Sequence, residues 1–187
     1  SFRFIDAQNL PTDFLTKEFH KERRELVRAK MPANSVAVFF ANPVRNRSND
    51  VDFIYHQDPN FLYLTGYREP DAVLLLFKEP QQGPAGSYTE IVFIQPRNAM
   101  AELWNGRRLG VEGVKETLAL QAVFNNSEFK SYNIDFSAFS KVLFYDFQND
   151  VRNTATEGDL YDLISWFKQK VGYKIEGTIE IEPKTSN

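Results

Sequence analysis

The sequence predicts an α/β fold in which helices flank a mixed sheet. Four short apolar runs rich in β-branched and aromatic residues indicate strands, at residues 36–41, 73–77, 91–94 and 142–147. The first three are continuous or nearly so, which is typical of strands buried on both faces. The second and third are joined by the Gly- and Pro-rich segment 79–87, so we expect them to form an antiparallel hairpin within the sheet.

Helical signals surround these runs. A first helix is expected to begin at a cap on Thr12 or Asp13 and to end near Lys30, with an apolar side made of Leu15, Phe19, Leu26 and Val27. A last helix is predicted from a capping pattern of Thr156 with Asp159, and its apolar positions are Leu160, Leu163, Ile164, Phe167 and Val171. Gly172 is expected to end it. Weaker helical patterns cover residues 99–103, 111–118 and 127–139.

Composition limits the function classes. The 187 residues suit one domain with a sizeable core, placed at residues 1–172, and residues 173–187 are interpreted as a linker or tail. The net charge of −3 offers no footprint for nucleic acid or an anionic membrane. The chain has no Cys and therefore no disulfide or thiolate metal site. It also lacks a membrane-spanning apolar run and a signal-peptide pattern at Ser1, so a cytoplasmic location is predicted.

A search for catalytic residues finds little. His20 lies among Lys and Glu on the first helix and is expected to be a solvated surface residue. Asp52, His56 and Asp58 form a carboxylate-rich set with one imidazole, but a dinuclear hydrolase site needs more ligands than these. No Gly-x-Ser-x-Gly elbow, P-loop or Gly-x-Gly-x-x-Gly motif occurs. From the residues alone, the chain is an α/β domain that is not an enzyme by itself.

Two segments call for a further explanation. Residues 55–67 are dense in aromatics yet interrupted by Pro and Gly, so we expect an irregular, core-forming segment that ends in a turn at Gly66. Residues 101–110 place Trp104, Arg107 and Arg108 beside two Gly in a predicted exposed loop. Exposed Trp and Arg are enriched at binding hot spots. Packing of Trp104 into the core, with both Arg solvated, is the alternative.

The same two segments carry a resemblance to a known family. The run Phe61-Leu62-Tyr63-Leu64-Thr65-Gly66-Tyr67, with the following residues 69–74, is similar to the N-terminal domain of Xaa-Pro aminopeptidases. The run Ala101-Glu102-Leu103-Trp104-Asn105-Gly106-Arg107-Arg108-Leu109-Gly110 resembles the Trp-x-Gly-x-Arg signature of these enzymes. The resemblance covers roughly residues 12–170 in consistent order.

The resemblance implies a ribonuclease H-like fold of the creatinase/prolidase N-terminal type. It also implies an activity for the complete protein, the removal of an N-terminal residue that precedes proline. In this "pita-bread" metallopeptidase family two metal ions, usually manganese, are bound in a C-terminal catalytic domain, so no catalytic or metal-binding residue carries over to this chain. The implied partners are that catalytic domain, further subunits of a homo-oligomer, and proline-containing peptides as substrates.

Within the family, N-terminal domains take part in oligomer contacts and wall the active-site entrance. Trp104, Arg107 and Arg108 are therefore the candidate residues for the entrance or the subunit interface. Two alternatives remain open at this point. One is a stand-alone peptide- or protein-binding module without catalysis, and the other is an independent hydrolase that uses Asp52, His56 and Asp58.

Overall fold

A single mixed sheet organises the structure, a computed structural model that describes residues 15–44, 55–145, 147 and 156–172. The strands in this part of the chain are β1 (Ser35–Phe40), β2 (Val73–Gly83), β3 (Gly86–Ile94), β4 (Val123–Asn125) and β5 (Lys141–Phe144). Their order is β4-β3-β2-β1-β5. The pairs β1–β2 and β2–β3 are antiparallel, whereas β3–β4 and β1–β5 are parallel. The predicted mixed α/β class is confirmed.

The β2–β3 hairpin is also confirmed, but its turn is tighter than the sequence indicates. Most of the segment predicted as a connection is strand, and only Pro84 and Ala85 lie between Gly83 and Gly86. Strand β4 was not predicted, because three residues are too few to show a periodic pattern.

The helices are α1 (Lys17–Lys30), α2 (Pro59–Thr65), α3 (Ala99–Asn105), α4 (Gly110–Thr117) and α5 (Leu160–Lys170). The helix predicted at 127–139 is wrong, since this region holds two 3₁₀ turns, Asn126–Lys130 and Phe136–Ala138. The Asp135 carboxylate accepts a hydrogen bond from the Ser137 N–H at 3.0 Å. Such local side-chain bonds compete with a continuous helix. No helix in the described ranges is long and apolar enough to cross a membrane.

Both faces of the sheet are covered, as the continuous apolar runs predict. Helices α1, α2 and α4 pack on one face, against a core that includes Leu74, Leu76 and Val92. Helix α5 and the 3₁₀ turns pack on the other face, where Phe167 and Trp166 meet alternate residues of the same strands. Alternation of side chains along each strand divides one sheet between two cores.

Helix α1 differs from its prediction. The expected apolar residues Leu15 and Leu26 are 41% and 49% exposed, whereas His20 and Arg24 are buried. The solvated role predicted for His20 is therefore wrong, since its ring Nδ1 lies 2.8 Å from the Tyr63 carbonyl oxygen. A buried polar side chain is tolerated where it has a hydrogen-bond partner. The side of α1 that faces the domain therefore carries polar residues that are hydrogen-bonded there.

The helix caps also shift by a few residues. Thr16 caps α1 by accepting a hydrogen bond from the Phe19 N–H, while Thr12 and Asp13 lie outside the described residues. In α5 the capping side chain is Asp159, which accepts from the Asp162 N–H, and not Thr156. Both caps satisfy a free N–H of the first turn.

Segment 55–67 contains a helix, although its Pro had led us to expect an irregular segment. Pro59 occupies the first helical turn of α2, where its missing N–H costs nothing, and Asp58 caps the helix. Gly66 ends it with a φ of 73°, so the predicted turn at this residue is confirmed. A Cβ at Gly66 would lie 2.8 Å from the His20 ring, which requires Gly at this position.

Candidate functional site: an exposed helix after strand β3

Helix α3 presents three large apolar side chains to solvent. Met100, Leu103 and Trp104 are 71%, 79% and 86% exposed, and no residue of the helix is buried. Their spacing of three and four residues places them on one side of the helix. Packing of Trp104 into the core is therefore excluded, and the exposed location expected for this segment holds.

After α3 the chain turns at Gly106, and the residues that follow make polar contacts with the rest of the domain. Gly106 ends the helix with a φ of 84°, and Arg107 is exposed beyond it. Arg108 is half-buried, and its Nη1 donates to the Pro96 carbonyl oxygen at 3.1 Å. The two Arg side chains thus differ, because Arg108 ties the loop to the chain before α3 whereas Arg107 faces solvent.

Two carboxylates hold the loop after α3 in place through hydrogen bonds. Glu102 accepts hydrogen bonds from the Arg97 Nε at 2.7 Å, the Arg108 N–H at 2.8 Å and the Asn98 N–H at 3.2 Å. Glu69 accepts from the Leu109 N–H at 3.0 Å and from the Gln95 amide at 2.8 Å. The loop after α3 is thus held by polar contacts, whereas the large apolar side chains of α3 are exposed.

The ionisation of Glu102 reflects these donors. The Arg108 N–H, and after it the Arg97 side chain, hold the pKa of the Glu102 carboxyl below its ordinary value of 4.5, against an opposing effect of desolvation. The folded pKa is lowered, so the stabilisation by this carboxylate is fully present above pH 4.5. It is lost as the pH falls through the lowered pKa.

We therefore expect the amide chemical shift of Arg108 to follow the ionisation of Glu102 with an apparent pKa below 4.5. An NMR titration of the amide from neutral to acidic pH measures this value. Glu102→Gln is the control, because it removes the titrating carboxyl, and the transition at Arg108 should vanish. A transition above 4.5, or one that survives Glu102→Gln, would contradict the assignment.

The alternative hydrolase site finds no support among the described residues. His56 is exposed, and the carboxylate of Asp58 is used to cap α2. Asp52 lies outside the described residues. Within the part of the chain that the structure describes, no three His, Asp or Glu side chains are grouped to hold a metal ion. The described members of the set, His56 and Asp58, therefore give no support to a dinuclear metal centre.

A cavity lies where the carboxyl ends of β1 and β5 meet. This cavity of about 320 Å³ is lined by Phe39, Phe40, Asn42, Asp58, Asn60, Tyr145, Leu160 and Ile164, with a few neighbouring apolar residues. Among the described residues that line it, only Asp58 is charged, and Asp58 is the α2 cap. A catalytic pocket needs convergent titratable groups, so α3 remains the stronger candidate site.

Sequence reasoning identified Trp104, Arg107 and Arg108 but missed four residues of this site. Met100 and Leu103 could have been found from their helical spacing to Trp104. Glu69 could not, since it lies 40 positions before Leu109 in the chain. Glu102 lies within the run 101–110, two residues before Trp104, but nothing in its sequence context indicates three donors.

Comparison with known proteins agrees with this architecture. The family described as "Aminopeptidase P, N-terminal domain" matches residues 20–143, which is more than half of the chain. Xaa-Pro aminopeptidase of Haemophilus influenzae is 42% identical over 115 residues, covering 62% of this chain and 26% of that protein. Human Xaa-Pro aminopeptidase 3 is 30% identical over 149 residues, covering 79% of this chain and 29% of that protein.

Solved structures show the same likeness. Escherichia coli aminopeptidase P with the inhibitor Pro-Leu superposes with a TM-score of 0.63 at 26% identity, covering 82% of this chain and 33% of that one. The chain thus spans about a quarter to a third of the length of the relatives it matches. Together with the mixed sheet and the Trp104 segment, these matches show that the chain belongs to the aminopeptidase P N-terminal domain family.

Proposed function

We propose that this chain is the non-catalytic N-terminal domain of an Xaa-Pro aminopeptidase, and that its α3 surface contacts another subunit and walls the active-site entrance. The supporting observation is the exposure of Met100, Leu103 and Trp104 on a helix that buries nothing. Large apolar side chains clustered on a surface are typical of interaction sites, and Trp is enriched at their centres.

The protruding shape of the site suits a wall at the active-site entrance better than a cleft that binds a ligand. Trp104 projects from a short helix whose polar anchors face the domain, so a partner can enclose the ring from several sides. A ring at an active-site entrance would exclude wide or long peptides by steric clash and so restrict substrate choice. Arg107, which is exposed beside it, is suited to pair with a carboxylate of the neighbouring subunit or of the peptide.

The remaining parts of the proposal concern the complete protein. Its activity is the release of an N-terminal residue that precedes proline, and its two divalent metals, manganese in our proposal, are bound in a C-terminal catalytic domain. Residues 1–172 form the N-terminal domain and residues 173–187 lead towards that catalytic domain. The enzyme is placed in the cytoplasm, and this chain alone is inactive.

Trp104→Ala in the complete enzyme tests the proposed role. Truncation of a central aromatic hot spot costs about 2 kcal/mol or more in binding, so we expect at least a tenfold higher KM for Xaa-Pro peptides, on the scale of about 1.4 kcal/mol per decade. A weaker preference for short peptides should accompany it. Steady-state kinetics on peptides of increasing length measures both, and ultracentrifugation reports the subunit contact.

Glu116→Gln is the matched control, because Glu116 is exposed on the neighbouring helix α4. It is expected to change neither KM, nor the preference for short peptides, nor the oligomer mass. Unchanged KM, length preference and oligomer mass in Trp104→Ala would refute the proposal. A changed KM without a change in mass would place the contact within one chain and refute the subunit contact. Peptide hydrolysis by the isolated chain would refute its inactivity.

A further inference from the structure

Helix α3 cannot be positioned by packing. None of its residues, Ala99–Asn105, is buried, and seven residues are too few for a stable isolated helix. In most helices an apolar face docked on the core sets the orientation, but here that face points to solvent. Polar contacts at the helix and its return loop must therefore determine where Trp104 stands.

Those contacts converge on two carboxylates that take successive backbone amides. Glu102 receives the Arg108 N–H at 2.8 Å, and Glu69 receives the next one, that of Leu109, at 3.0 Å. Glu102 also receives the Arg97 Nε at 2.7 Å, which links the strand exit before α3 to the loop after it. The two ends of the α3 segment are thereby joined through one carboxylate.

Glu69 is itself held in place from the other side. The side-chain amide of Gln57 donates to the Glu69 carbonyl oxygen at 2.7 Å and to the Tyr67 carbonyl oxygen at 3.2 Å. The Gln57 side-chain oxygen Oε1 accepts from the Tyr55 hydroxyl at 2.8 Å and from the Asn42 N–H at 3.0 Å. Glu69 thus ties the loop after α3 to Gln57 and its hydrogen-bond partners.

The backbone conformation at Gly110 also depends on the close contact between Arg97 and the end of the loop. Gly110, where α4 begins, has a φ of 65°, and a Cβ there would lie 2.6 Å from the Arg97 Cγ. The Arg97 stem therefore packs against the loop end while its Nε donates to Glu102. The segment from Arg97 to Gly110 is one closed unit, and the apolar face of α3 packs against none of the residues that the structure describes.

We infer that Glu102 and Glu69 are positioning residues, which fix the loop 106–109 so that Trp104 is presented in one orientation before it meets its partner. This inference rests on the proposed function of Trp104. A preorganised contact loses less conformational entropy on binding than a mobile one. Loss of either carboxylate should therefore weaken the contacts of Trp104 without removing any atom of the apolar face.

The test combines hydrogen exchange and kinetics on the complete enzyme carrying Glu102→Gln or Glu69→Gln. Gln has the same shape but offers one acceptor where the carboxylate offers two, and a hydrogen bond to a charged group is stronger than one to a neutral group. We expect about tenfold faster exchange of the Arg108 amide in Glu102→Gln and of the Leu109 amide in Glu69→Gln. KM for Xaa-Pro peptides should rise while kcat stays within about twofold.

Glu116→Gln serves again as the control and should change neither exchange nor KM. Circular dichroism checks that both variants remain folded, because the loss of a charged acceptor is also expected to lower the thermal unfolding temperature somewhat. The two variants act on different amides, so each tests the inference independently.

The outcomes separate this inference from the proposed function. If Trp104→Ala raises KM but the two Gln variants change neither exchange nor KM, the positioning role is wrong and the proposed function stands. Faster exchange with an unchanged KM also overturns the positioning role. If Trp104→Ala leaves KM, length preference and oligomer mass unchanged, the proposed function is wrong and the inference falls with it, whatever the exchange rates are.

Discussion

Arg24→Met is expected to lower the free energy of unfolding by about 3–5 kcal/mol, because it breaks a buried ion pair from one side. The Arg24 side chain is fully buried. Its Nε and Nη2 donate to the two Glu90 carboxylate oxygens at 2.8 and 3.1 Å. It also donates to the carbonyl oxygens of Leu64 and Ala119 at 2.9 and 3.0 Å. The substitution leaves these acceptors with too few donors.

Urea unfolding followed by circular dichroism measures the loss. Lys21→Met, at an exposed position on the same helix, is the matched control and should stay within about 0.5 kcal/mol of the parent. The double variant Arg24→Met/Glu90→Met should recover part of the loss, because it also removes the carboxylate that Arg24→Met leaves without its partner. The recovery should be incomplete, because Arg28, 3.8 Å from Glu90, then loses an ion-pair partner. A loss below about 1 kcal/mol for Arg24→Met, the range of an exposed pair, would show that the ion pair is not structural.

Phe167→Ala is expected to cost about 3–5 kcal/mol through the cavity it leaves in the core. The Phe167 side chain is fully buried on α5. Its ring lies 5.4–5.9 Å, between centroids, from the rings of Phe40, Phe136, Phe144 and Phe147. These distances suit aromatic pairs, and four of them on one ring connect β1, β5 and a 3₁₀ turn to α5. Removal of the ring therefore weakens the attachment of the whole helix.

The same urea unfolding experiment checks this value. Phe167→Leu keeps most of the apolar volume and should lose clearly less than Phe167→Ala, which distinguishes a cavity from a general disturbance of α5. Gln169→Ala, at an exposed position of the helix, should stay within about 0.5 kcal/mol of the parent. Equal losses for the Ala and Leu variants would contradict the packing argument.

The layered architecture was readable from the sequence because it depends on local patterns. Continuous apolar runs such as 73–77 and 91–94 predicted strands covered on both faces, and both faces are covered. The hairpin followed from the Gly and Pro residues between those runs. Strand β4 escaped prediction because its three residues depend on pairing with β3 for their conformation.

The inward face of α1 could not be predicted from the helix alone. Helical periodicity favoured Leu15 and Leu26 as buried residues, yet Arg24 and His20 are buried instead. The deciding partner of Arg24 is Glu90, which lies 66 positions away in the chain. A charged residue is buried only where such a partner compensates for its desolvation, and the pattern of one helix carries no information about that partner.

For the candidate site, the order of residues 101–110 was enough to single out Trp104, Arg107 and Arg108, since the signature is local. The sequence likewise determined the class of fold, the position of α5 and the turn at Gly66. Only the tertiary structure decided that Trp104 stands in solvent, that Glu69 and Glu102 anchor its loop, and that Arg24 is buried. The physical reason is the same in each case, because exposure and pairing depend on residues that the fold brings together from distant parts of the chain.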